Sequence, residues 1–281
     1  MRTQARAGRK DVSTPLAAGE PKADLNGLLA EPRRMKILDW LQEEGSARVR
    51  DLSAAFGVSE ATIRQDLEKL ETDGHISRQH GGAFLRAMPR QVETLSLQHM
   101  ENIDKKRKIG VKAASLVGDG ETIILDAGST TTEIAHNLIG RSSLTVITNA
   151  LNIALMLGAV PGYAVHMPGG QFKAPTLSLS GDKAADYFAD VFAGKLFLAT
   201  AGVALDSGLT YPSFADLELK QAMIRAASHV YLVADSTKIN RSSFTRLGTL
   251  DVIHSFITDD GIRDEDVRAF ESRGIKVIVA E

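Results

Sequence analysis

The sequence predicts an α/β protein in which a small helical domain precedes a larger domain built on a mostly parallel sheet. Three short amphipathic helices are expected before residue 75. From residue 121 onward, short apolar strands alternate with helices, which is the pattern of a parallel sheet covered on both faces. A chain of 281 residues, 43% apolar and 24% charged, is long enough to form two such cores.

The three helices of the front third are separated by very short connections. The first ends before Gly45, the second ends before Gly57, and the third begins at Ser59, a good N-cap, and stops at Gly74. A helix, a short turn containing glycine and another helix form the helix-turn-helix arrangement, in which the later helix enters the major groove of DNA. The predicted helical ranges are 31–44, 49–56 and 59–74.

The third helix has one buried and one outward face. Ile63, Leu67 and Leu70 fall at i, i+4 and i+7, so they form a narrow apolar stripe. The outward groups are small, amide and cationic, which suits contact with base edges and phosphates. On this stretch alone an ordinary amphipathic surface helix is an equal interpretation, and the neighbouring elements favour DNA recognition. The candidate DNA-binding residues are Ser59, Ala61, Thr62, Arg64, Gln65, Arg78 and His80.

The stretch after the third helix, residues 75–84, alternates apolar and polar residues and contains a Gly-Gly turn. It predicts a small β wing with Ile76 and Phe84 packed inward and with Arg78 and His80 facing the DNA backbone. Asp66 lies toward the buried side of the third helix, so we interpret it as a structural ion pair or cap, for example with an arginine on the first helix. These elements predict a winged helix-turn-helix domain over residues 28–86.

The remaining segments divide into a tail, a linker and a large domain. Residues 1–27 predict a flexible basic tail, residues 87–104 a linker, and residues 105–281 the effector-binding and oligomerisation domain. The chain has no cysteine and no apolar run of membrane-spanning length, and no second His or Cys pair stands at metal-ligand spacing to complement His75 and His80. We therefore expect no metal, no cofactor, no membrane contact and a cytoplasmic location. The basic run 105–108 fits either a solvated helix start or a surface that faces an anion.

The strand ends of the large domain carry groups that suit a ligand. Residues 126–131 connect a buried strand to a helix, and Gly128 there allows close approach of the backbone to an anion. A phosphate-binding loop and a simple helix N-cap explain this segment equally well. Because several other strand ends carry polar or glycine residues, a ligand cleft at this edge is the stronger interpretation. The candidates are Asp126, Gly128, Ser129, Thr130, Thr131, Asn149, Gly170, Asp235 and Lys238.

The front of the sequence resembles the DeoR family of bacterial transcription regulators. The resemblance rests on Arg33, Ile37 and Leu41, followed after 17 residues by SEATIRQDL at 59–67. One position departs from the family pattern, because Gln65 stands where relatives carry Lys or Arg. An amide there favours a different base, such as adenine, so the operator of a relative does not transfer to this chain.

The large domain resembles the effector domain of the same family through residues 126–131, 148–149, 169–170, 208–210 and 235–238. This resemblance implies a Rossmann-like fold related to ribose-5-phosphate isomerase and CoA transferases, and a phosphorylated sugar effector bound at Gly128 to Thr131. It also implies that Lys106, Asp235 and Lys238 hold or sense that effector. The family further implies a repressor of a sugar-catabolism operon that acts as a homo-oligomer, a dimer or tetramer, on double-stranded DNA.

Two alternatives to a ligand-controlled regulator remain at this point. The first is a sugar-phosphate isomerase or transferase-like enzyme carrying a DNA-binding appendage, with Glu218 and Lys220 as base and electrostatic partner. We favour a solvated helix start for both, because no second acid or base stands beside them at a motif spacing, and we assign no catalytic residues. The second alternative is a nucleic-acid-associated structural protein without a ligand.

Overall fold

The computed structural model describes residues 29–79, 81–85, 100–174 and 176–281. Three predicted features lie outside these ranges: the basic tail at 1–27, the wing residue His80, and most of the linker at 87–104. Among the described residues, no helix is both long enough and apolar enough to cross a membrane.

The N-terminal domain contains three helices and a three-stranded antiparallel sheet in the order β1-β3-β2. Its helices lie within two residues of the predicted ranges, and Gly45 ends the first one in the left-handed conformation, with φ 75°. The sequence did not predict the first strand, which pairs with the wing. The elements are α1 (Ala30–Glu44), β1 (Ser46–Arg48), α2 (Val49–Phe56), α3 (Glu60–Thr72), β2 (Ile76–Gln79) and β3 (Gly82–Leu85).

The predicted apolar stripe of α3 forms the centre of this small core. Ile63 and Leu67 are fully buried, and Ile76 of the wing packs with them. The prediction for Phe84 is wrong: Phe84 is half-buried, and its neighbour Ala83 faces the core instead. The reason is the pairing of β3 with β1 as well as β2, which fixes the face that each wing residue presents.

The C-terminal domain alternates strands and helices as predicted. Its helices are α4 (Ile103–Ser115), α5 (Ser129–Leu138), α6 (Leu151–Gly158), α7 (Asp182–Asp186), α8 (Leu217–Arg225) and α9 (Asp264–Glu271). Its strands are β4 (Thr122–Leu125), β5 (Leu144–Thr148), β6 (Tyr163–His166), β7 (Gln171–Lys173), β8 (Ser178–Ser180), β9 (Ala193–Ala199), β10 (Gly202–Ala204), β11 (Gly208–Tyr211), β12 (Ala227–Val233), β13 (Thr245–Gly248), β14 (Ser255–Asp259) and β15 (Lys276–Ala280).

Seven of these strands form one parallel sheet in the order β15-β14-β12-β9-β4-β5-β6. The sheet has an apolar cluster on each face, centred on Leu198 and Phe256 on one side and on Phe197 and Ile134 on the other. Two small antiparallel sheets, β10-β11-β13 and β7-β8, were not predicted. The helix after β8, α7, is short and ends at Asp186.

The two domains share an aromatic contact. Phe244, from the loop before β13, is buried in the core of the N-terminal domain. Its ring centroid lies 4.7 Å from that of Trp40 on α1 and 5.4 Å from that of Phe56 on α2. Through this contact, α1 lies against the loops that extend from the large domain.

Candidate nucleic-acid interface and effector cleft

The position of α3 is fixed by a cap and a buried ion pair. The Ser59 hydroxyl accepts a hydrogen bond from the Thr62 backbone N–H at 3.1 Å. At the buried side, Arg33 Nε donates to Asp66 Oδ2 at 2.5 Å, and both side chains are largely excluded from solvent. This confirms the interpretation of Asp66 as a structural partner of an arginine on the first helix.

The opposite face of α3 carries the predicted base-reading residues. Ala61, Arg64 and Gln65 are exposed, and Arg64 forms an ion pair with Glu60 one turn earlier. The Thr62 hydroxyl lies 2.9 Å from that of Ser59, so these two groups are already engaged with each other. Of these residues, Gln65 presents an amide and Arg64 a cation to a partner, and Glu60, Glu68 and Lys69 of α3 are exposed as well.

An open groove of about 650 Å³ runs beside this face, between β1, α2, α3 and the turn of the wing. Arg48, Arg50 and Arg64 line it, together with Gly81 and Gly82 of the turn. The sequence did not single out Arg48 and Arg50, because they lie outside the recognition helix and only the fold brings them to its edge.

The wing residue Arg78 is exposed. Its guanidinium lies 3.8 Å from the carboxylate of Glu71 at the end of α3, and its backbone N–H donates to the same side chain at 3.0 Å. Arg78 is therefore placed beside α3 by Glu71 while remaining accessible to a partner.

In the large domain, Gly128 connects β4 to α5 in a crowded position. A side chain at Gly128 would place its Cβ 2.9 Å from Ala199 Cβ on the neighbouring β9, so glycine is required by close approach. The helix begins at Ser129 without a side-chain cap, which leaves the amides of its first turn available to a ligand. The hydroxyls of Thr131 and Thr132 instead donate to the Gly128 carbonyl at 2.8 Å.

Beneath this loop lies a buried ion pair between Asp126 and Lys220. The Asp126 carboxylate also accepts backbone hydrogen bonds from Ala127 at 2.9 Å and Ala199 at 3.0 Å. Burial raises the pKa of Asp126, and the Lys220 ammonium opposes that shift. The prediction that Lys220 belongs to a solvated helix start is wrong: α8 turns it inward, where it is 2% exposed, while Glu218 is exposed as predicted.

Asn149 and Gly170 shape the same edge of the sheet. Asn149 Oδ1 accepts a hydrogen bond from the Ala127 backbone N–H at 2.9 Å, and the Asn149 amide nitrogen donates to the Leu179 carbonyl at 3.2 Å. Together these two hydrogen bonds join the ends of β4 and β5 to β8. Gly170 adopts φ 127°, and a Cβ there would lie 2.5 Å from the Ser180 carbonyl oxygen. Asn149 and Gly170 therefore hold the loops at the edge of the sheet where the sequence predicts a ligand cleft.

The end of β12 places Asp235 and Lys238 on a short 3-10 turn. Asp235 is buried and accepts a hydrogen bond from the Thr237 backbone at 3.0 Å, while Lys238 is half-buried. Lys106 of α4 is also buried beside them. Burial lowers the pKa of Lys106, and the charge of Asp235 partly restores it.

The lysines of the basic run at 105–108 are not a solvated helix start, whereas Arg107 is exposed. Lys105 donates to the Ser236 hydroxyl at 2.7 Å and lies 3.1 Å from the buried carboxylate of Asp259, and Lys106 faces the sheet edge. The run therefore binds the carboxyl ends of β12 and β14, which only the folded arrangement reveals.

A further group of charged residues joins this cleft to α1. The Lys173 ammonium donates to Asp216 at 2.7 Å and to Glu44 of α1 at 2.9 Å. The Tyr211 hydroxyl donates to Glu43 at 3.2 Å, and its ring lies 4.2 Å from the Lys220 ammonium. The sequence did not identify this cluster, because its members come from distant segments without a shared motif.

Across the part of the chain that the structure describes, no group of three or more His, Asp or Glu side chains could hold a metal ion. The charged clusters are instead made of lysines facing single carboxylates or pairs of carboxylates.

Two family models together match most of the described chain. Residues 33–87 match the family described as the DeoR-like helix-turn-helix domain, and residues 101–260 match the DeoR C terminal sensor domain. The HTH-type transcriptional regulator GlpR of Haloferax volcanii is 32% identical over 251 residues, which are 89% of this chain and 98% of that protein. The putative aga operon transcriptional repressor of Escherichia coli O157:H7 is 32% identical over 249 residues, 88% of this chain and 93% of that protein.

Among solved structures, ribose 5-phosphate isomerase A from Methanocaldococcus jannaschii aligns with a TM-score of 0.37 and 16% identity, over 49% of this chain and 55% of that one. That likeness is too low to assign a role to any residue. The functional assignment rests on the full-length relatives, which are named as regulators and repressors and not as enzymes. With a helix-turn-helix domain at its front and a sensor domain behind it, this chain belongs to the DeoR family of transcriptional regulators.

Proposed function

We propose that this protein is a sequence-specific repressor of a sugar-catabolism operon, controlled by a phosphorylated sugar. The observation that carries the proposal is the content of the sensor cleft. The uncapped start of α5 adjoins the buried pair of Asp126 and Lys220, and Lys106 lies at the same carboxyl edge of the parallel sheet. Amide donors and buried ammonium groups are suited to a phosphate.

On the DNA side, α3 enters the major groove and Gln65 reads a base edge. Arg64 and Arg78 contact the phosphates of the DNA backbone, as do Arg48 and Arg50 of the adjoining groove. Ser59 and Thr62 set the start of α3, and Ala61 leaves room for close approach of the bases. For His80 we keep the role of a phosphate contact that the sequence suggests.

On the effector side, the phosphate binds the amides of Ser129, Thr130 and Thr131 in the first turn of α5. Gly128 permits this approach, while Asp126, Asn149 and Gly170 hold the surrounding loops. The ammonium groups of Lys106 and Lys238, with the charge of Asp235 acting on Lys106, contact or sense the sugar.

The name of one relative supports control by a phosphorylated metabolite. This relative, 27% identical over 227 residues, is the glycerol-3-phosphate regulon repressor of Escherichia coli K12. We propose a sensor domain from residue 105 onward that forms homo-oligomers, dimers or tetramers, in the cytoplasm. Two linked DNA-binding domains on repeated half-sites bind much more strongly than one.

The DNA assignment is tested by selecting bound sequences from a randomised duplex library with the full chain. Gln65→Ala is expected to change the selected sequence at one or two positions without lowering thermal stability, because its side chain is exposed. Arg64→Ala is expected to weaken binding to all sequences and to reduce the salt dependence by about one counterion. An unchanged sequence preference in Gln65→Ala would show that this residue is not a reader.

The effector assignment is tested by thermal stabilisation of the full chain with sugar phosphates, including glycerol 3-phosphate and ribose 5-phosphate. A ligand that binds the folded state raises its apparent stability. We expect one of them to stabilise the wild type and to alter its binding to the selected duplex without being turned over. Ser129→Leu with Thr130→Val should abolish that stabilisation while DNA binding persists. Turnover of the ligand would contradict the proposal.

A further inference from the structure

The sensor domain contains a second anion-binding position, and α1 fills it. The carboxylate of Glu44 accepts hydrogen bonds from the Lys173 ammonium, at 2.9 Å, and from the Ser213 hydroxyl. Ser213 is fully buried and the Lys173 side chain is 7% exposed. A buried ammonium group and a buried hydroxyl converging on one oxygen form an anion site. Its occupant here belongs to the DNA-binding domain.

This position adjoins the proposed effector cleft. Lys173 ends β7, three residues after the Gly170 turn that borders the cleft. Its second partner, Asp216, precedes α8, and α8 carries the Lys220 ammonium that holds Asp126 beneath the Gly128 loop. The anion site and the phosphate-binding loop are therefore held by the same two segments of the sensor domain.

The charge balance favours an exchangeable contact. Lys173 faces two carboxylates, Glu44 and Asp216, and the Glu44 side chain is 22% exposed while that of Asp216 is 7% exposed. Glu44 is thus the more solvent-accessible of the two and the one that can leave without unfolding the sensor domain. Its departure opens the Lys173 ammonium and the Ser213 hydroxyl to another acceptor group, while Lys173 keeps its ion pair with Asp216 and its hydrogen bond to Ser213.

We propose that Glu44 is an intramolecular competitor of the effector. While the effector's phosphate occupies the first turn of α5, its remaining oxygen atoms take Lys173 and Ser213 from Glu44 and so release α1 from the sensor domain. This inference rests on the proposed phosphosugar control. An effector that binds only after Glu44 has left must favour the released arrangement, and by linkage the docked arrangement must weaken effector binding. The exposed face of α3 is then reoriented relative to the sensor domain.

Trp40 provides a direct reporter of this release. It is the only tryptophan in the 281 residues, and its ring packs against Phe244 of the sensor domain, with centroids 4.7 Å apart. Separation of α1 from the sensor domain moves the indole from an aromatic contact into water. Its emission should therefore shift to longer wavelength on release.

The test uses the full chain as wild type, Glu44→Gln and the control Glu31→Gln. Glu31 is also on α1 and loses the same charge, but it is exposed and pairs only with Arg34 among the described contacts. Each protein is titrated with glycerol 3-phosphate, ribose 5-phosphate and inorganic phosphate by calorimetry, with Trp40 emission recorded in parallel. Circular dichroism establishes that each variant is folded.

We expect Glu44→Gln to bind the active probe roughly fivefold or more tightly than wild type, and Glu31→Gln to bind like wild type. Without ligand, Glu44→Gln should already show part of the emission shift that the probe causes in wild type. Equal affinities in wild type and Glu44→Gln, or a bound probe that leaves the wild-type emission unchanged, would overturn the competition alone. If none of the three probes binds to any of the three proteins, both the competition and the proposed phosphosugar control are overturned.

Discussion

Glu43 lies at the end of α1 with its carboxylate in a crowded, charged environment. Burial and the nearby Asp216 carboxylate raise its pKa to about 7, against the opposing effects of Lys220, Lys173 and the Tyr211 hydroxyl. The folded protein therefore retains a proton on Glu43 at a pH where the unfolded chain has released it. Neutral Glu43 is the form that fits beside Asp216.

We expect this group to make stability fall as the pH rises from about 4.5 to about 7. Because the folded pKa is raised, the favourable contribution is complete below the unfolded pKa and is lost as the pH passes the folded one. The contribution of Glu43 protonation to the free energy of unfolding is at most about 3 kcal/mol. Urea unfolding between pH 5 and pH 8 should show a shallower dependence in Glu43→Gln than in wild type or Glu31→Gln. Parallel curves for all three would contradict this assignment.

Single residues show where sequence patterns stop being informative. The outward position of Gln65 and the structural role of Asp66 could be predicted, because both follow from helical period and the apolar stripe. The burial of Lys220 could not be predicted from the sequence. Its inward orientation depends on the Asp126 carboxylate, 94 residues earlier in the chain, and on the Tyr211 ring. A local sequence pattern does not indicate a partner that lies so far away in the chain.

At the level of elements, periodicity predicted the long helices and the buried parallel strands. It failed for the short antiparallel strands, of which β7, β8 and β10 have three residues each. Three residues are too few to show alternation, and their pairing depends on contacts with distant segments. These short strands nevertheless position Lys173 and Tyr211, so the missing elements explain the missing site residues.

The connection from β4 to α5 is the element on which effector binding depends most. In Gly128→Ala, the new methyl group would meet Ala199 Cβ at 2.9 Å and Thr131 Oγ1 at 3.2 Å, so the loop must shift away from β9. We expect a loss of about 1–3 kcal/mol in unfolding free energy and loss of stabilisation by the active sugar phosphate. Differential scanning fluorimetry with and without ligand measures both effects.

Gly158→Ala is the matched control for that substitution. Gly158 ends α6, and nothing lies within 4 Å of a Cβ added there. The alanine should leave ligand stabilisation intact and change the unfolding free energy by less than about 1 kcal/mol. Wild-type ligand stabilisation in Gly128→Ala would show that the phosphate does not depend on this loop.

For the whole molecule, the decisive feature is that the sensor domain completes the core of the DNA-binding domain. The sequence predicted the two domains separately and gave no sign of this contact, since Phe244 lies in a loop 200 residues away from α1. Its side chain is 2% exposed and packs on Trp40, Phe56 and Phe214. Docking of the domains is therefore an apolar contact, with the charged contacts of Glu43 and Glu44 at its side.

Phe244→Ala should consequently uncouple the two domains. Removing a buried phenyl ring costs about 3–5 kcal/mol, and here the loss falls on the contact between the domains. In urea, the Trp40 emission change should move to lower concentration and separate from the unfolding of the large domain followed by circular dichroism. Phe192→Ala removes a ring that is 88% exposed and should unfold like wild type. If Phe244→Ala also unfolds in one transition with an unchanged midpoint, then the aromatic contact does not couple the domains, and control of DNA binding must pass through the charged contacts alone.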